Sequence, residues 1–215
     1  MVSLPSLKNF KMIRFGNHVK PLVVIGAPNL EELHLQEFGK LELMGSSPLT
    51  CLHSAYIDIG EHQSSDLAGV LNRISNAKKM FLSGNTLRRL SVADNVQLPV
   101  FPKLTHLTIG IWGSSYTLFS LLNSASKLQY LVIDMVSPHV HLLVGMVEWL
   151  VLQHLPTPEC LLSSLEEVEI KHLVVAEDTK KLLHSLWEEV QMEGVHISWG
   201  KCNSQGKCTC LVKMQ

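Results

Sequence analysis

The chain has 215 residues, of which 46% are hydrophobic, and its formal net charge is −1. This length and composition suit one or two folded domains with a substantial core and exclude a disordered tail. The near-neutral charge predicts no bulk attraction to nucleic acid or to anionic membranes. The longest apolar segment, HVHLLVGMVEWLVL, is interrupted by Glu148, whereas a transmembrane helix needs about 18 uncharged apolar residues.

The N-terminus and the cysteines predict an intracellular protein of the nucleus or cytoplasm. The first residues, MVSLPSLKNFKMIRFG, lack the hydrophobic run and the small-residue cleavage site of a secretory signal. Of the five cysteines, Cys51 and Cys160 stand isolated, which does not suit the disulfide framework of a small secreted fold. A reducing compartment is therefore expected.

A short phrase with the cadence L-x-x-L-x-L recurs along the chain. Its clearest copies are LPSLKNFKM from Leu4, PNLEELHL from Pro28, FPKLTHLTI from Phe101, SKLQYLVI from Ser126 and SSLEEVEI from Ser163. The third apolar position, with two less regular copies included, gives seven anchor residues: Phe10, Leu33, Ala55, Met80, Leu107, Leu131 and Val168. Their spacings are 23, 22, 25, 27, 24 and 37 residues.

A leucine-rich repeat has a period of about 20–29 residues, so the spacing predicts an α/β leucine-rich-repeat solenoid with an insertion before the last repeat. Generic core leucines of another α/β domain would not keep this period. Each phrase would add one short parallel strand to a curved sheet, with the anchors packed inward.

The alternate residues of these strands would then face the concave surface, where a partner is expected to bind. The predicted contact residues are Lys11, His34, Gln36, Tyr56, Asp58, Thr108, Asp134, Glu169 and Lys171. Trp112 is added as a contact at the rim, because it follows the strand that ends at Ile111 and aromatic residues concentrate interface energy.

Between the strands, helices or irregular turns are expected on the convex side. The segment over 64–75 has four apolar residues on one helical face: Leu67, Val70, Leu71 and Ile74. The segment over 114–126 repeats this spacing at three positions: Leu118, Leu121 and Leu122. The candidate caps are Ser65 or Asp66 for the first helix and Ser114 or Ser115 for the second.

Four successive segments over 71–173 are more specific than a generic repeat. They are LNRISNAKKMFLSGNTLRRLSV, LPVFPKLTHLTI, LLNSASKLQYLVID and LPTPECLLSSLEEVEIKHL. In order and spacing they resemble the C-terminal half of plant F-box/FBD/LRR-repeat proteins. The run from Pro158 to Leu165 looks like the opening of the FBD module, and Trp149 matches the tryptophan that precedes it.

The resemblance implies an intracellular protein whose repeats hold a target for ubiquitination. In that family an F-box precedes the repeats and docks onto the Skp adaptor of a cullin-based ubiquitin ligase. The F-box has no counterpart here, because Met1 already lies within a repeat. Contact with the Skp adaptor and cullin complex is therefore expected only if an F-box is supplied upstream.

The chain is expected to divide into three parts: a repeat region over 1–155, an FBD-like repeat with a capping segment over 156–197, and a flexible cysteine-containing tail over 198–215. Beyond Val174 the sequence departs from the family. An amphipathic stretch there has four apolar residues at helical spacing: Leu182, Leu183, Leu186 and Val190. Val195 and Ile197 then predict a short closing strand that covers the end of the solenoid.

Candidate metal ligands lie in the tail, at Cys202, Cys208 and Cys210, with His196 nearby. Their C-x5-C-x-C spacing lacks the paired C-x2-C knuckles of structural zinc sites, so no metal is expected. His139 with His141, or His172 near Cys160, would be the catalytic pairs to consider. Because no nucleophile elbow, phosphate-binding loop or H-E-x-x-H helix accompanies them, neither an enzyme nor a cofactor is expected.

The sequence therefore predicts a protein-interaction module whose target is a protein of unknown identity, with no nucleic-acid or membrane partner. The segment over 135–158, which includes the insertion, is a second possible partner surface. Two alternatives stay open. The repeats would serve as a receptor for a small ligand, as in some plant hormone co-receptors, or the chain is a truncated, non-functional paralogue with an exposed strand edge.

Overall fold

A computed structural model describes residues 2–13, 23–36, 41–43, 48–59, 67–92, 97–110, 115–134, 160, 163–174, 195–199 and 207–214. The strands in these ranges are β1 (Val2–Ser3), β2 (Asn9–Ile13), β3 (Val23–Gly26), β4 (Glu32–Gln36), β5 (Leu41–Leu43), β6 (Ser54–Asp58), β7 (Lys79–Leu82), β8 (His106–Gly110), β9 (Tyr130–Asp134), β10 (Glu167–Val174), β11 (Val195–Trp199) and β12 (Lys207–Met214). The helices are α1 (Leu67–Ile74), α2 (Gly84–Val92) and α3 (Ser115–Asn123).

The fold is α/β and is built on one large open sheet. Its strand order is β11-β12-β10-β9-β8-β7-β6-β4-β2, and the seven strands from β10 to β2 in this order are parallel to one another. Each parallel strand thus lies beside the next one in the large sheet along the chain. A small parallel sheet of order β1-β3-β5 accompanies the first repeats.

The seven anchor residues lie side by side in this sheet. The register pairs Phe10 with Leu33, Leu33 with Ala55, and so on through Met80, Leu107, Leu131 and Val168. All are buried except Phe10, which is partly buried on the edge strand β2. The predicted anchors are therefore confirmed, and together they form a continuous row through the hydrophobic core.

Each of the seven parallel strands of the large sheet is entered through a turn that is closed by the amide of an apolar residue three positions before the anchor. In six of the turns the amide three residues on donates to the carbonyl: Leu7 to Leu4, Leu30 to Ala27, Leu52 to Leu49, Ala77 to Ile74, Leu104 to Phe101 and Leu128 to Ala125. In the last turn Leu165 donates to Cys160. From the second turn onward the apolar residues at both ends of the bond are buried, whereas in the first turn Leu7 is partly buried and Leu4 is 42% exposed. The bond satisfies backbone groups of the turn.

A second repeating feature joins each turn to the next. One carbonyl per turn accepts two consecutive amides from the following turn. The accepting carbonyls are those of Lys8, Glu31, His53, Lys78, Thr105 and Gln129. The last of these accepts from Glu166 and Glu167, so the pattern spans the insertion before β10. We refer to this series as the carbonyl ladder.

The two predicted helices are present. The four apolar residues of α1 are buried, as are Leu118, Leu121 and Leu122 of α3. Ser115 is the first residue of α3, whereas the candidate caps Ser65, Asp66 and Ser114 lie outside the described residues.

Helix α2 was not predicted, because its sequence GNTLRRLSV starts with two poor helix formers. Its start is held by side chains. The Thr86 amide donates to Ser83 Oγ at 3.3 Å, so Ser83 caps the helix. The fully buried Thr86 hydroxyl accepts from the Ile59 amide and donates to the Ile57 carbonyl, which ties α2 to β6.

The C-terminus differs from the expectation. The tail over 198–215 was expected to be flexible, but Lys207–Met214 forms β12, which pairs antiparallel with both β10 and β11. Its alternating sequence, KCTCLVKM, suits a strand. The closing strand predicted at Val195 and Ile197 is β11. The amphipathic stretch over 182–190 and the segment over 135–158 lie outside the described residues.

None of the helices in the described ranges is long and apolar enough to cross a membrane.

Candidate functional site

On the seven parallel strands, one face of the sheet carries the buried anchors. The opposite face carries half-buried and exposed side chains, and we call it the polar face. Its middle row consists of Lys11, His34, Tyr56, Phe81, Thr108, Val132 and Glu169, paired across seven strands. The row nearer the carboxyl ends, the distal row, includes Gln36, Asp58, Gly110, Asp134 and Lys171. The row nearer the amino ends, the proximal row, includes Glu32, Ser54, Lys79, His106, Tyr130 and Glu167.

The nine strand residues predicted as contacts all lie on the polar face, in its middle and distal rows. The register brings them onto one surface although they are up to 160 residues apart in sequence, from Lys11 to Lys171. Their role in binding stays a prediction. Trp112, the predicted contact at the rim, lies outside the described residues.

Three rings in the middle row form what we call the aromatic stack: His34 on β4, Tyr56 on β6 and Phe81 on β7. The centroids of His34 and Tyr56 are 4.1 Å apart with planes at 2°, and those of Tyr56 and Phe81 are 4.2 Å apart with planes at 0°. All three side chains are half-buried. The stack occurs because the register places one ring on each of three adjacent strands, at about the 4.8 Å spacing of a sheet.

Two carboxylates of the distal row, those of Asp58 and Asp134, act on the stack. Burial raises the pKa of the Tyr56 phenol above its usual value, and the carboxylates of Asp58 and Asp134 raise it further. At the β10 end of the polar face, Lys171 Nζ lies 3.2 Å from Glu169 Oε2, so these two charges largely offset each other.

The proximal row contains a second, smaller aromatic contact. The rings of His106 and Tyr130 are stacked with centroids 4.6 Å apart and planes at 27°. The Tyr130 hydroxyl donates to Glu166 Oε2 at 3.0 Å, and Gln129 Nε2 donates to Glu166 Oε1 at 3.1 Å. These bonds hold the Tyr130 ring at the rim where the strands begin.

Phe81, His106 and Tyr130 were not predicted from the sequence as residues of this face. The signal was available, since each immediately precedes or follows an anchor: Phe81 follows Met80, His106 precedes Leu107, and Tyr130 precedes Leu131. The same rule had selected Tyr56 after Ala55. Applied to every phrase, alternation about the anchors would have identified all three.

Stability should depend on pH through His106. Burial lowers the pKa of His106 below its usual 6.5, and the charge of Lys79 lowers it further. Because the folded chain holds this proton less tightly than the unfolded chain, its contribution is fully present above pH 6.5 and is lost as the pH falls through the lowered folded pKa. Denaturant unfolding between about pH 8 and about pH 5 would measure this.

His106→Gln should flatten the fall in stability on the acid side, and Lys79→Gln should flatten it in part, because it removes the second cause. An unchanged slope in His106→Gln would contradict the assignment.

Of the residues considered for metal binding and catalysis, His139 and His141 lie outside the described ranges. Among the described residues, no group of three or more His, Cys, Asp or Glu side chains is placed to hold a metal ion. Cys208 and Cys210 belong to β12, and Cys202 lies outside the described ranges. Cys160 is fully buried, and its Sγ donates to the Leu122 carbonyl at 3.4 Å, so no substrate reaches it in this structure.

The polar face with its aromatic stack is therefore the candidate site. A scan against protein-family models matches no family, and searches of curated proteins and of solved structures return no match.

Proposed function

We propose that this chain is a leucine-rich-repeat interaction module whose polar face is the concave surface that binds a protein partner. The observation that carries the proposal is the aromatic stack. It places three half-buried rings on adjacent strands of a surface that is otherwise mostly polar. Aromatic side chains supply large contact area at low entropic cost and dominate interface energetics.

The repeat architecture supports the proposal. Seven anchors in one register row, six entry turns with the same backbone hydrogen bond, and the carbonyl ladder are what stacked copies of one short unit would produce. Repeat solenoids of this kind present extended surfaces that suit protein recognition. The charged and aromatic residues of the polar face lie on strands, which fix their spacing better than loops would.

The ligase role is part of the same proposal and is supported by the resemblance over 71–173 to F-box/FBD/LRR-repeat proteins. In that arrangement the polar face would hold the target for ubiquitination. Docking onto the Skp adaptor would require an F-box upstream of the repeats. A chain extended by its native upstream sequence would be tested for binding to purified Skp adaptor, with the 215-residue chain as the control.

Site-directed crosslinking tests the binding face. A photo-crosslinking amino acid in place of Thr108, in the middle row, should capture a discrete protein from plant cell extract. The same group in place of Lys127, an exposed residue of the turn before β9, serves as the control position. The captured protein would be identified by mass spectrometry and produced separately for binding measurements.

Tyr56→Ala should weaken the purified complex by about tenfold or more, because it removes the central ring of the stack. Lys127→Ala should leave the affinity unchanged. Capture of the same proteins from both positions, or equal affinity of Tyr56→Ala and the wild type, would count against the polar face as the binding surface.

A further inference from the structure

The carbonyl ladder is incomplete at the N-terminal end of the large sheet. In each later turn, two consecutive amides donate to a carbonyl of the turn before, starting with those of Glu31 and Glu32 on the Lys8 carbonyl. The equivalent amides of the first turn belong to Lys8 and Asn9, and no carbonyl of the described residues accepts from them. The carbonyl and amide of one trans peptide point in opposite directions. Because the Lys8 carbonyl bonds towards β4, the Asn9 amide points to the open side of β2.

The hydrophobic core is incomplete at the same edge. Phe10 and Met12 point to the core side of β2 and are partly buried, whereas their register partners on β4, Leu33 and Leu35, are 2% and 0% exposed. Each of the two β4 residues has an apolar neighbour on both adjacent strands, and each of the two β2 residues has one on β4 alone. A further strand with apolar residues at these two positions would complete the burial.

The turn that forms this edge is basic. Residues 2–13 include two lysines and no acidic residue. Lys8 Nζ lies 2.9 Å from Glu31 Oε1, whereas Lys11 is exposed and forms no ion pair with any described residue. Glu32 lies one strand further in, on β4, where its register partner is Asn9. The charge nearest to a residue placed opposite Lys11 on an added strand is therefore the Lys11 ammonium.

We propose that an extended segment of the protein partner adds to β2 as a parallel strand, with an acidic residue opposite Lys11 and apolar residues opposite Phe10 and Met12. A parallel neighbour would supply the carbonyl that the ladder lacks at Lys8 and Asn9, as each preceding turn does elsewhere in the sheet. Peptides bind open sheet edges in this way through main-chain hydrogen bonds. Alternation puts the apolar residues on the core side and the acidic residue on the polar face. The inference rests on the proposed function, because it gives the chemistry of the partner at one end of the same face.

The chain itself contains a segment with the required pattern, which supplies the probe. In β10, Glu169 lies between Val168 and Ile170. The acidic probe is fluorescein-SSLEEVEIK-amide, which copies residues 163–171, and its charge-reversed analogue is fluorescein-SSLEEVKIK-amide. Fluorescence anisotropy would measure the binding of each peptide to the full chain. The acidic peptide should bind about fivefold more tightly than the analogue, because opposite charges paired across strands attract and like charges repel.

Three variants of the chain separate recognition from misfolding. Lys11→Glu should reverse the preference, so that the charge-reversed peptide binds more tightly than the acidic one, and a misfolded chain would show no such gain. Asn9→Pro should weaken both peptides by about fivefold, because it removes an amide on the open side of an edge strand and leaves the bonds to β4 in place. Lys103→Glu reverses an exposed charge in the turn before β8 and should leave both affinities unchanged.

Equal binding of the two peptides, an unchanged preference in Lys11→Glu, or no saturable binding at millimolar peptide would each overturn the inference. Two other occupants of the edge would overturn it as well. Sedimentation that shows a dimer of the chain, which Lys11→Glu dissociates, would assign the edge to a second copy. Loss of peptide binding in a chain extended by its native upstream sequence would assign the edge to that sequence.

These outcomes are distinguishable from failure of the proposed function. If crosslinking at Thr108 captures a partner that depends on Tyr56 while the two peptides bind alike, the polar face still binds protein and only the strand addition at β2 falls. If the peptides differ as expected while crosslinking at Thr108 captures nothing beyond its control, the edge binds an acidic extended segment and the middle of the face does not contact it.

Discussion

Replacing Leu107 with alanine should lower the free energy of unfolding by about 2–5 kcal/mol. Leu107 is 0% exposed and lies inside the anchor row, between Met80 and Leu131. The substitution removes three buried carbon atoms and leaves a cavity between adjacent strands. Because neighbours on both sides are held by the sheet register, the cavity has little room to collapse.

Denaturant titration followed by circular dichroism would measure the loss. The matched control is Thr108→Ala, which changes the next residue of β8 on the polar face and should cost less than about 1 kcal/mol. Similar losses in the two variants would mean that the two faces of β8 are not differently buried, in contradiction to the alternation seen along the strand.

Gly110→Ala is expected to cost about 1–3 kcal/mol. A Cβ at this position would lie 2.8 Å from the backbone nitrogen of Gly84, where α2 begins, and 3.4 Å from the carbonyl carbon of Ser83. Both atoms belong to backbone, so relief would require moving the capped start of the helix. The same denaturant titration would measure the loss of stability.

The matched control is Asp134→Ala at the register partner of Gly110, since β9 already accepts a side chain there. It should lower the stability less than Gly110→Ala does, because no backbone has to move. If Gly110→Ala were as mild as the control, α2 would not be held as closely against β8 as the structure indicates.

The repeat unit was predictable from the sequence because its apolar anchors recur at a short and nearly constant spacing. A 22–27 residue spacing of apolar anchors determines which residues pair, and the register follows without knowledge of distant contacts. Helix α2 was not predictable in this way. Its start is held by Thr86, which bonds to the backbone of Ile57 in β6 and of Ile59 just beyond it, 29 and 27 residues earlier in the sequence.

The sequence predicted which residues share the face, but it did not predict how their side chains contact one another. Alternation placed His34, Tyr56 and Thr108 on one face, and the structure confirms that placement. The parallel stacking of the rings, however, depends on side-chain rotamers that are set jointly by three strands from separate repeats. The pairing of β12 with β10 was not predicted. An antiparallel strand lies outside the repeat pattern, so the spacing of the anchors does not indicate it.

The carbonyl ladder has a consequence for how the chain loses its structure. Each rung joins only adjacent turns, so the backbone bonds of one repeat can break without disturbing any repeat beyond its neighbours. Opening should start at the edges of the large sheet, where β2 and β11 each have a neighbour on one side only, and proceed inward. The aromatic stack begins on β4, the neighbour of the edge strand β2, so a molecule bound there would stabilise this edge of the sheet against opening.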